Sequence, residues 1–396
     1  MDKHINRALA ILLIGTIFVI GGVTLALNIR QIGYALLVNY TLYTEENGGV
    51  FDSVRARIQS LNATINGKVL GKDRFEKLNA QMQLALGKQV LSFGGTTMVR
   101  LNTGHLYDVE SDIDVTGEVN KIIRMNDTLK AQGIPMVYAY AHSMLYEDGM
   151  LPTGVKDYNL KVADEIVGGL RAGGVTTLDS RDIYKDDGLT LDDAVFHTDI
   201  HWQPRMAFHV FAACAQALNE TGKIHLDESA ADIGRFDSRM LKNAYLGNTG
   251  SRLGADFVEA DDFEVLTPAF DTHIKSSISS SNGMVDREGS FEDAVLNMEL
   301  AQLDAPGDIY DIYGHHTEVV YYENENAPEG RLLIVKDSFG TPVASLMSLA
   351  VRNVCAIDLR KGKGTIEEYV KSFQPDAVLV VHCQEMMRGK HYAFLD

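Results

Sequence analysis

Three side chains of the types used in acyl transfer stand in two short segments of this chain. Ser338 follows a short apolar run, and a helical pattern begins at Gly340. Such a strand-to-helix turn exposes a serine Oγ to the positive end of a helix, which favours developing negative charge. Serine needs a base, and segment 197–202 offers Asp199 and His201, which would share a face if the segment were extended. The pattern predicts a Ser-His-Asp triad.

The same segment also permits a metal site. His197, Asp199 and His201 alternate at i, i+2 and i+4, so on a strand all three would point the same way. His315 and His316 would be the source of a fourth ligand, although neighbouring residues of a strand point to opposite faces. No glutamate stands out as a base. We therefore prefer the proton-transfer triad, which needs no metal and no other cofactor.

Each triad candidate also has a purely structural interpretation. Ser338 could cap the helix that follows it, because serine and aspartate satisfy free N–H groups at helix starts. His201 could be a core histidine that only holds Trp202 in place. Their combination with Asp199 in one α/β chain favours the catalytic interpretation.

The composition is that of a globular protein. The 396 residues are 45% hydrophobic and 23% charged, enough for one large or two medium domains. With 36 basic and 54 acidic residues the net charge is −18, so nucleic acid is not expected as a partner. Cys214, Cys355 and Cys383 lie in apolar patterns and are predicted to be small core residues rather than a disulfide framework.

The N-terminus predicts a membrane anchor. Ala8 to Leu27 is uncharged and mostly apolar, and matches the roughly 20 residues that a spanning helix needs. Lys3 and Arg7 precede it, which predicts a cytoplasmic N-terminus and an exported remainder. The alternative is a cleaved signal peptide with its cleavage site near residues 24–26, but the apolar run is longer than usual for one.

Strands and helices alternate along most of the remaining chain, after a hairpin pattern at 90–107. This predicts an α/β fold with a mostly parallel sheet and helices on both faces. Between 225 and 330 the alternation breaks down, and we interpret this stretch as an insertion that shapes a substrate groove. The predicted parts are a cytoplasmic tip and anchor (1–30), a juxtamembrane stalk with a helix near 50–62 (31–74) and a catalytic domain (75–396).

Three short motifs resemble a known family. Asp199–Trp202, Lys336–Phe339 and Ile357–Arg360 occur in the order expected of the DHHW family, named for its Asp-His-His-Trp signature. That family is similar to the SGNH-type O-acetyltransferases of the alginate acetylation machinery. The resemblance covers about 75–390, including the segment Leu145–Pro152, and implies an SGNH-hydrolase-like fold.

The resemblance implies a role for each triad residue. Ser338 would be the nucleophile, His201 the general base and Asp199 the group that orients the base. Two positions depart from the family pattern. Ile200 replaces the second letter of the signature, and Lys336 stands where typical SGNH enzymes have glycine, which implies a more crowded or more cationic approach to the serine.

Other parts of the site are less defined by the sequence. Gly247 and Asn248 are the candidates for oxyanion or substrate contacts, with an ordinary Gly-Asn turn as the alternative. Trp202 would either stack on a sugar face or pack beneath the catalytic segment.

The combined prediction is a membrane-anchored, extracytoplasmic enzyme of the bacterial cell envelope. It would transfer an acyl group, most simply acetyl, to hydroxyls of a cell-surface polysaccharide. The resemblance implies a membrane-bound O-acyltransferase partner as the acyl donor. The alternatives are a carbohydrate acetylesterase and a non-catalytic polysaccharide-binding or assembly protein.

Overall fold

The computed structural model describes residues 72–388 except 94–95, 144–148, 316 and 363, together with 11, 14–16, 18–24 and 26–30. Two compact units divide the chain, Met1–Met82 and Gln83–Asp396. In the first unit the described residues between 11 and 30 are helical. No helix within the described ranges has both the length and the apolar character needed to cross a membrane. The predicted anchor is described only in part, and most of the predicted stalk, including its helix near 50–62, lies outside the described residues.

The second unit contains most of the regular structure. The strands are β1 (Val90–Phe93), β2 (Thr96–Arg100), β3 (Leu106–Asp108), β4 (Met136–Ala141), β5 (Thr176–Asp179), β6 (Phe236–Tyr245), β7 (Asp261–Pro268), β8 (Ile274–Ser280), β9 (Gly283–Gly289), β10 (Val319–Glu323), β11 (Arg331–Lys336), β12 (Asn353–Ile357) and β13 (Ala377–Cys383). From residue 72 onward, the α-helices are α1 (Lys72–Ala85), which begins in the first unit, α2 (Thr116–Ala131), α3 (Asn159–Ala172), α4 (Ser180–Asp186), α5 (Leu191–Ala194), α6 (Pro204–Glu220), α7 (Asn248–Leu253), α8 (Phe291–Ala294), α9 (Gly340–Ala350) and α10 (Ile366–Phe373).

An eight-stranded sheet forms the centre, in the order β5-β4-β13-β11-β12-β10-β8-β9. The first five strands are parallel, and the last three join the sheet antiparallel. All seven residues of β13 are buried, because strands covered on both faces read as continuous apolar runs. The predicted α/β fold with a mostly parallel sheet is confirmed. A separate antiparallel sheet of β1, β2 and β3 occupies the predicted hairpin.

Helices cover both faces of the central sheet. Leu332 and Ile334 of β11 belong to the core that contains α6 and α9. Leu333 and Val335 of the same strand belong to the core that contains α2, α3 and α10. This alternation follows from the two-residue period of a strand. As predicted, the three cysteines are buried and free.

The stretch 225–330 contributes to both the sheet and the site. Strands β8, β9 and β10 extend the main sheet beyond β12. Strands β6 and β7 form a separate antiparallel ribbon that leads to Tyr245 and α7. The sequence alternation is weak here because antiparallel strands need not be buried on both faces, and β9 is largely exposed. Its predicted role in shaping a substrate groove stays a prediction.

Candidate active site

Ser338 lies in the turn between β11 and α9, and the carboxylate of Asp337 shapes this turn. One oxygen of Asp337 accepts a hydrogen bond from the N–H of Phe339 at 2.9 Å. The other accepts from the N–H of Cys383, at the end of β13, at 2.7 Å. Asp337 is completely buried. Asp337 therefore ties the serine turn, which follows β11, to the end of the neighbouring strand β13.

The chain leaves this turn through a position that only glycine can occupy. A Cβ at Gly340 would lie 2.6 Å from the Cβ of Lys336, closer than side-chain carbons can approach.

The Lys336 ammonium is buried and donates to Thr341 Oγ1 at 2.9 Å. Burial lowers the pKa of Lys336. The amine is thus held within the protein, and does not make an exposed cationic approach to Ser338.

The structure brings the three predicted triad side chains together. His201 Nε2 lies 2.8 Å from Ser338 Oγ, and His201 Nδ1 lies 2.7 Å from Asp199 Oδ1. The same Asp199 oxygen accepts from the backbone N–H of His201 at 3.0 Å. Segment 197–201 is bent rather than extended. The expectation of a shared strand face is therefore wrong, because the contact comes from a turn in which an aspartate accepts the N–H two residues later.

The second oxygen of Asp199 is also fully engaged. It accepts from the hydroxyl of Tyr245 at 2.6 Å and from the N–H of Asn248 at 2.8 Å. Burial by itself raises the pKa of this carboxyl, but the charge of His201 and the hydrogen bonds from His201, Tyr245 and Asn248 bring the pKa well below its ordinary value. Asp199 is thus a buried, ionised acceptor with four donors.

Aromatic rings and acids surround the imidazole of His201. Its ring centroid lies 4.3 Å from that of Tyr310 and 4.7 Å from that of Phe339. Burial lowers the pKa of His201, but Asp199, by charge and hydrogen bond, and the charges of Asp337 and Asp308 outweigh it. The net effect is a pKa raised above the 6.5 of an ordinary histidine.

The backbone N–H groups of Gly247 and Asn248 lie beside Asp199 and are engaged within the protein. The N–H of Gly247 donates to Thr198 Oγ1 at 3.0 Å, and that of Asn248 is bound to Asp199. A Cβ at Gly247 would lie 2.2 Å from Asp199 Oδ2, so no other residue fits there. The backbone of this pair supports the acid, Asn248 itself is exposed, and the oxyanion or substrate contacts expected of Gly247 and Asn248 stay a prediction.

Trp202 packs inside the protein. Its side chain is 1% exposed, and its ring meets that of Phe339 edge to face at 5.3 Å. The indole therefore has no face open to a sugar ring. Of the two roles considered for Trp202, the structure agrees with packing beneath the segment that carries Asp199 and His201.

The metal-ligand set considered from the sequence is not assembled. Asp199 and His201 bind each other, whereas His197 bonds elsewhere, to the carboxylate of Asp261. Burial lowers the pKa of His315 to about 4, and residue 316 lies outside the described residues. Within the part of the chain that the structure describes, the group whose donor atoms are close enough for one ion is a different one: His105, Asp192 and His197.

Several residues of the site were not identified from the sequence. Tyr245 binds Asp199, and Tyr310 stacks on His201. Asp308 and Glu385 carry charges that act on the imidazole; both residues keep exposed surface, but partial desolvation raises the pKa of both carboxyls. Only Tyr245 had a sequence signal that could have identified it, because it directly precedes the Leu-Gly-Asn turn. Tyr310, Asp308 and Glu385 come from distant segments that only packing brings to the site.

The third family motif forms an ion pair beside the nucleophile turn. Arg360 donates to both oxygens of Asp358, at 2.9 Å and 2.7 Å. Asp358 is 2% exposed. Burial lowers the pKa of Arg360, but the hydrogen bond and charge of Asp358, with a contribution from Asp337, raise it above its ordinary value. The motif lies beside the serine turn because Ile357 pairs with Val335 in the neighbouring parallel strand.

A family model matches the middle of the chain. Residues 102–258 match the model described as SGNH hydrolase-like domain, acetyltransferase AlgX. The matched stretch contains Asp199 and His201 and ends before Ser338. The predicted resemblance to SGNH-type acetyltransferases is confirmed. No curated protein matches the sequence significantly.

Solved structures share the fold. PatB1 of Bacillus cereus, solved with a sulfonyl adduct, has a TM-score of 0.60 at 17% identity over 75% of this chain and 96% of that chain. A DHHW family protein from Eubacterium siraeum has a TM-score of 0.57 at 14% identity over 78% and 97%. The O-acetyltransferase domain of Pseudomonas putida AlgJ has a TM-score of 0.44 at 14% identity over 73% and 91%. At these identities, the first two likenesses show the fold alone.

Proposed function

We propose that this chain transfers an acyl group, most simply acetyl, to hydroxyl groups of an extracytoplasmic polysaccharide through an acyl-enzyme on Ser338. The observation that carries the proposal is the hydrogen-bonded chain from Ser338 through His201 to Asp199, with distances of 2.8 Å and 2.7 Å. The match of residues 102–258 to an SGNH hydrolase-like acetyltransferase model supports acyl chemistry.

The proposed reaction has two halves. His201 Nε2 takes the proton of Ser338 as Oγ attacks the acyl carbonyl, while Asp199 holds Nδ1–H and stabilises the imidazolium. The backbone N–H of Ser338, in the turn before α9, contributes to stabilising the oxyanion. His201 then returns the proton to the leaving group, which leaves an ester on Ser338. In the second half His201 takes the proton of a sugar hydroxyl as the sugar oxygen attacks this ester; the bond between Ser338 Oγ and the acyl carbon breaks, and His201 returns the proton to Oγ, which restores the free serine.

Water in place of the sugar hydroxyl would make the protein an acetylesterase. An assay of the purified protein with an activated acetyl ester, with and without oligosaccharide acceptors, separates these outcomes. Acetylated oligosaccharide identifies transfer, and acetate release that acceptors do not change identifies hydrolysis. Oligosaccharide binding without any turnover identifies the non-catalytic alternative.

The pKa of His201 leads to a prediction about pH. The imidazole must be neutral to accept the serine proton, and its pKa is raised above 6.5. We therefore expect kcat/KM to be low at acid pH and to rise as the pH increases through a value above 6.5. In Asp199→Asn the acid limb of the residual kcat/KM should shift to lower pH, because the charge that raises the His201 pKa is gone. An acid limb in the parent at or below 6.5 would contradict a raised pKa of His201, and an acid limb that Asp199→Asn leaves in place would contradict the role of Asp199 in raising it.

The N-terminal segment leads to a prediction about topology. We propose that Ala8 to Leu27 spans the membrane and that Lys3 and Arg7 keep the N-terminus in the cytoplasm. The remainder would then lie outside, where a membrane-bound O-acyltransferase could supply the acyl donor. Protease added to intact cells should degrade the catalytic part of the chain, with a cytoplasmic protein as the control that stays intact. Full protection would rule this orientation out.

A further inference from the structure

A second group of imidazole and carboxylate side chains lies outside the triad, and we name it the His105 cluster: His105, Asp192 and His197. Asp192 Oδ1 lies 3.7 Å from His105 Nε2 and 3.4 Å from His197 Nε2. One donor atom from each of the three residues lies within 4.8 Å of the others. The two imidazole rings stack, with centroids 3.9 Å apart and planes inclined by 19°.

Both imidazoles are held through the opposite nitrogen. His105 Nδ1 lies 3.0 Å from Thr103 Oγ1. His197 Nδ1 lies 3.1 Å from a carboxylate oxygen of Asp261. When Nδ1–H donates to such an acceptor, Nε2 keeps its lone pair, and this arrangement orients and strengthens histidine ligands in metal sites. In this tautomer each Nε2 carries a lone pair, and the nearest Asp192 oxygen lies 3.7 Å from that of His105 and 3.4 Å from that of His197.

The buried member of the cluster has an unused nitrogen. His105 is completely buried, and its Nε2 makes no hydrogen bond of ordinary geometry among the described residues, although the backbone of Val195 interacts with the imidazole. The nearest carboxylate oxygen of Asp192, at 3.7 Å, is beyond hydrogen-bond distance. A buried polar atom without a partner is destabilising. Coordination to an ion lying between His105 and Asp192 would satisfy this nitrogen.

We propose that His105, Asp192 and His197 bind a divalent transition-metal ion, and that Zn²⁺ is the ion which this donor set favours. Zinc bonds of about 2.0–2.2 Å to nitrogen and oxygen place tetrahedral ligand atoms about 3.3–3.6 Å apart. The two separations from Asp192 are close to this range. The nearly parallel rings must tilt for their lone pairs to converge on one ion.

The surroundings leave the site open on one side. The side chain of His105 is fully buried, whereas those of His197 and Asp192 are 40% and 74% exposed. His197 and Asp192 also line a cavity of about 720 Å³. An open zinc site usually has three protein ligands, and solvent or another molecule occupies the fourth coordination position.

The proposed ion would connect three segments of the catalytic domain. His105 directly precedes β3, Asp192 lies in α5, and His197 begins the bent segment that carries Asp199 and His201. None of the triad side chains is a ligand. The inference therefore goes beyond the proposed function and does not depend on it.

Metal binding to the full-length protein tests this inference. After treatment with a chelator and its removal, the protein should bind one equivalent of Zn²⁺, and Co²⁺ should show the visible absorption of a four-coordinate site. We expect Asp192→Asn and His197→Gln each to weaken binding at least tenfold, because each removes one ligand atom. His273→Gln is the matched control, since it removes a surface histidine that pairs with Glu288 at 2.9 Å, and should leave the affinity unchanged.

The two cluster substitutions affect partly exposed side chains, and circular dichroism would establish that both variants are folded. The proposal is overturned if the parent binds no stoichiometric metal, or if either variant keeps its affinity within threefold of the parent. Binding is measured without substrate, and Ser338→Ala should bind the ion as the parent does. A failure of the triad and a failure of the metal site are therefore separate results.

Discussion

Replacement of Ser338 or His201 by alanine is expected to abolish ester turnover while the domain stays folded. Each substitution removes one end of the 2.8 Å contact through which the serine proton would leave. Losses of about 10⁴- to 10⁶-fold are typical of such a catalytic unit. Because the two residues act together, a Ser338/His201 double variant should be little worse than either single variant. The measurement is kcat/KM on an activated acetyl ester.

Covalent labelling gives an independent check of the same residue. A fluorophosphonate or sulfonyl fluoride should label Ser338 in the parent protein and fail to label Ser338→Ala. Ser372→Ala is the control, because this exposed serine of α10 lies outside the site and donates to the carbonyl of Glu368. A label found by mass spectrometry on another residue, or near-parental turnover in Ser338→Ala, would overturn the triad and favour the non-catalytic alternative.

Replacement of Asp199 by asparagine is expected to lower turnover by about 10⁴-fold, the loss seen when the acid of a serine-protease triad is changed to its amide. Asp199 accepts all four of its hydrogen bonds, so an amide group must present N–H groups to at least one donor. The imidazole of His201 would then be held in the wrong tautomer or released from its position. The pKa of Asp199 is lowered, so the carboxylate is ionised throughout the working pH range.

Tyr245→Phe tests the hydrogen bond that Tyr245 donates to Asp199 while the charge of Asp199 is kept. This substitution removes only the hydroxyl that donates to Asp199 Oδ2 at 2.6 Å, and leaves the contact with His201 in place. We expect a smaller loss of turnover than in Asp199→Asn, because the carboxylate still keeps three donors. If Asp199→Asn retained more than a tenth of parental turnover, or if Tyr245→Phe were the more damaging change, Asp199 would not be the orienting acid.

The support of Asp199 explains why the neighbouring backbone is constrained. Gly247 leaves no room for a Cβ beside the carboxylate, and α7 begins immediately after it so that the N–H of Asn248 can donate. The Asp199 segment is also tied down by Asp261, which accepts from both the N–H and the hydroxyl of Thr198. The buried carboxylate of Asp199 thus remains charged because β6 and α7 supply hydrogen-bond donors to it. Strand β7 supplies Asp261, which holds the neighbouring residue Thr198 in place.

The sequence alone was sufficient to predict the α/β architecture, with a mostly parallel sheet and helices on both of its faces. The parallel strands are continuous apolar runs because both of their faces are covered, and the helices show their own period. The residue types and the strand-to-helix turn also pointed to Ser338, with His201 and Asp199 as partners. These features are local in the chain, so a local pattern reveals them.

Only the tertiary structure decided how those partners meet and what surrounds them. The Asp199–His201 contact arises in a turn, where a strand had been expected. Tyr245 reaches Asp199 across 46 positions, and Ser338 reaches His201 across 137. Contacts at such separations depend on the packing of whole elements against one sheet, and no pattern of neighbouring residues encodes them. For the same reason, the indole of Trp202 proved to be packed inside the protein, and His197 paired with Asp261 rather than with the triad.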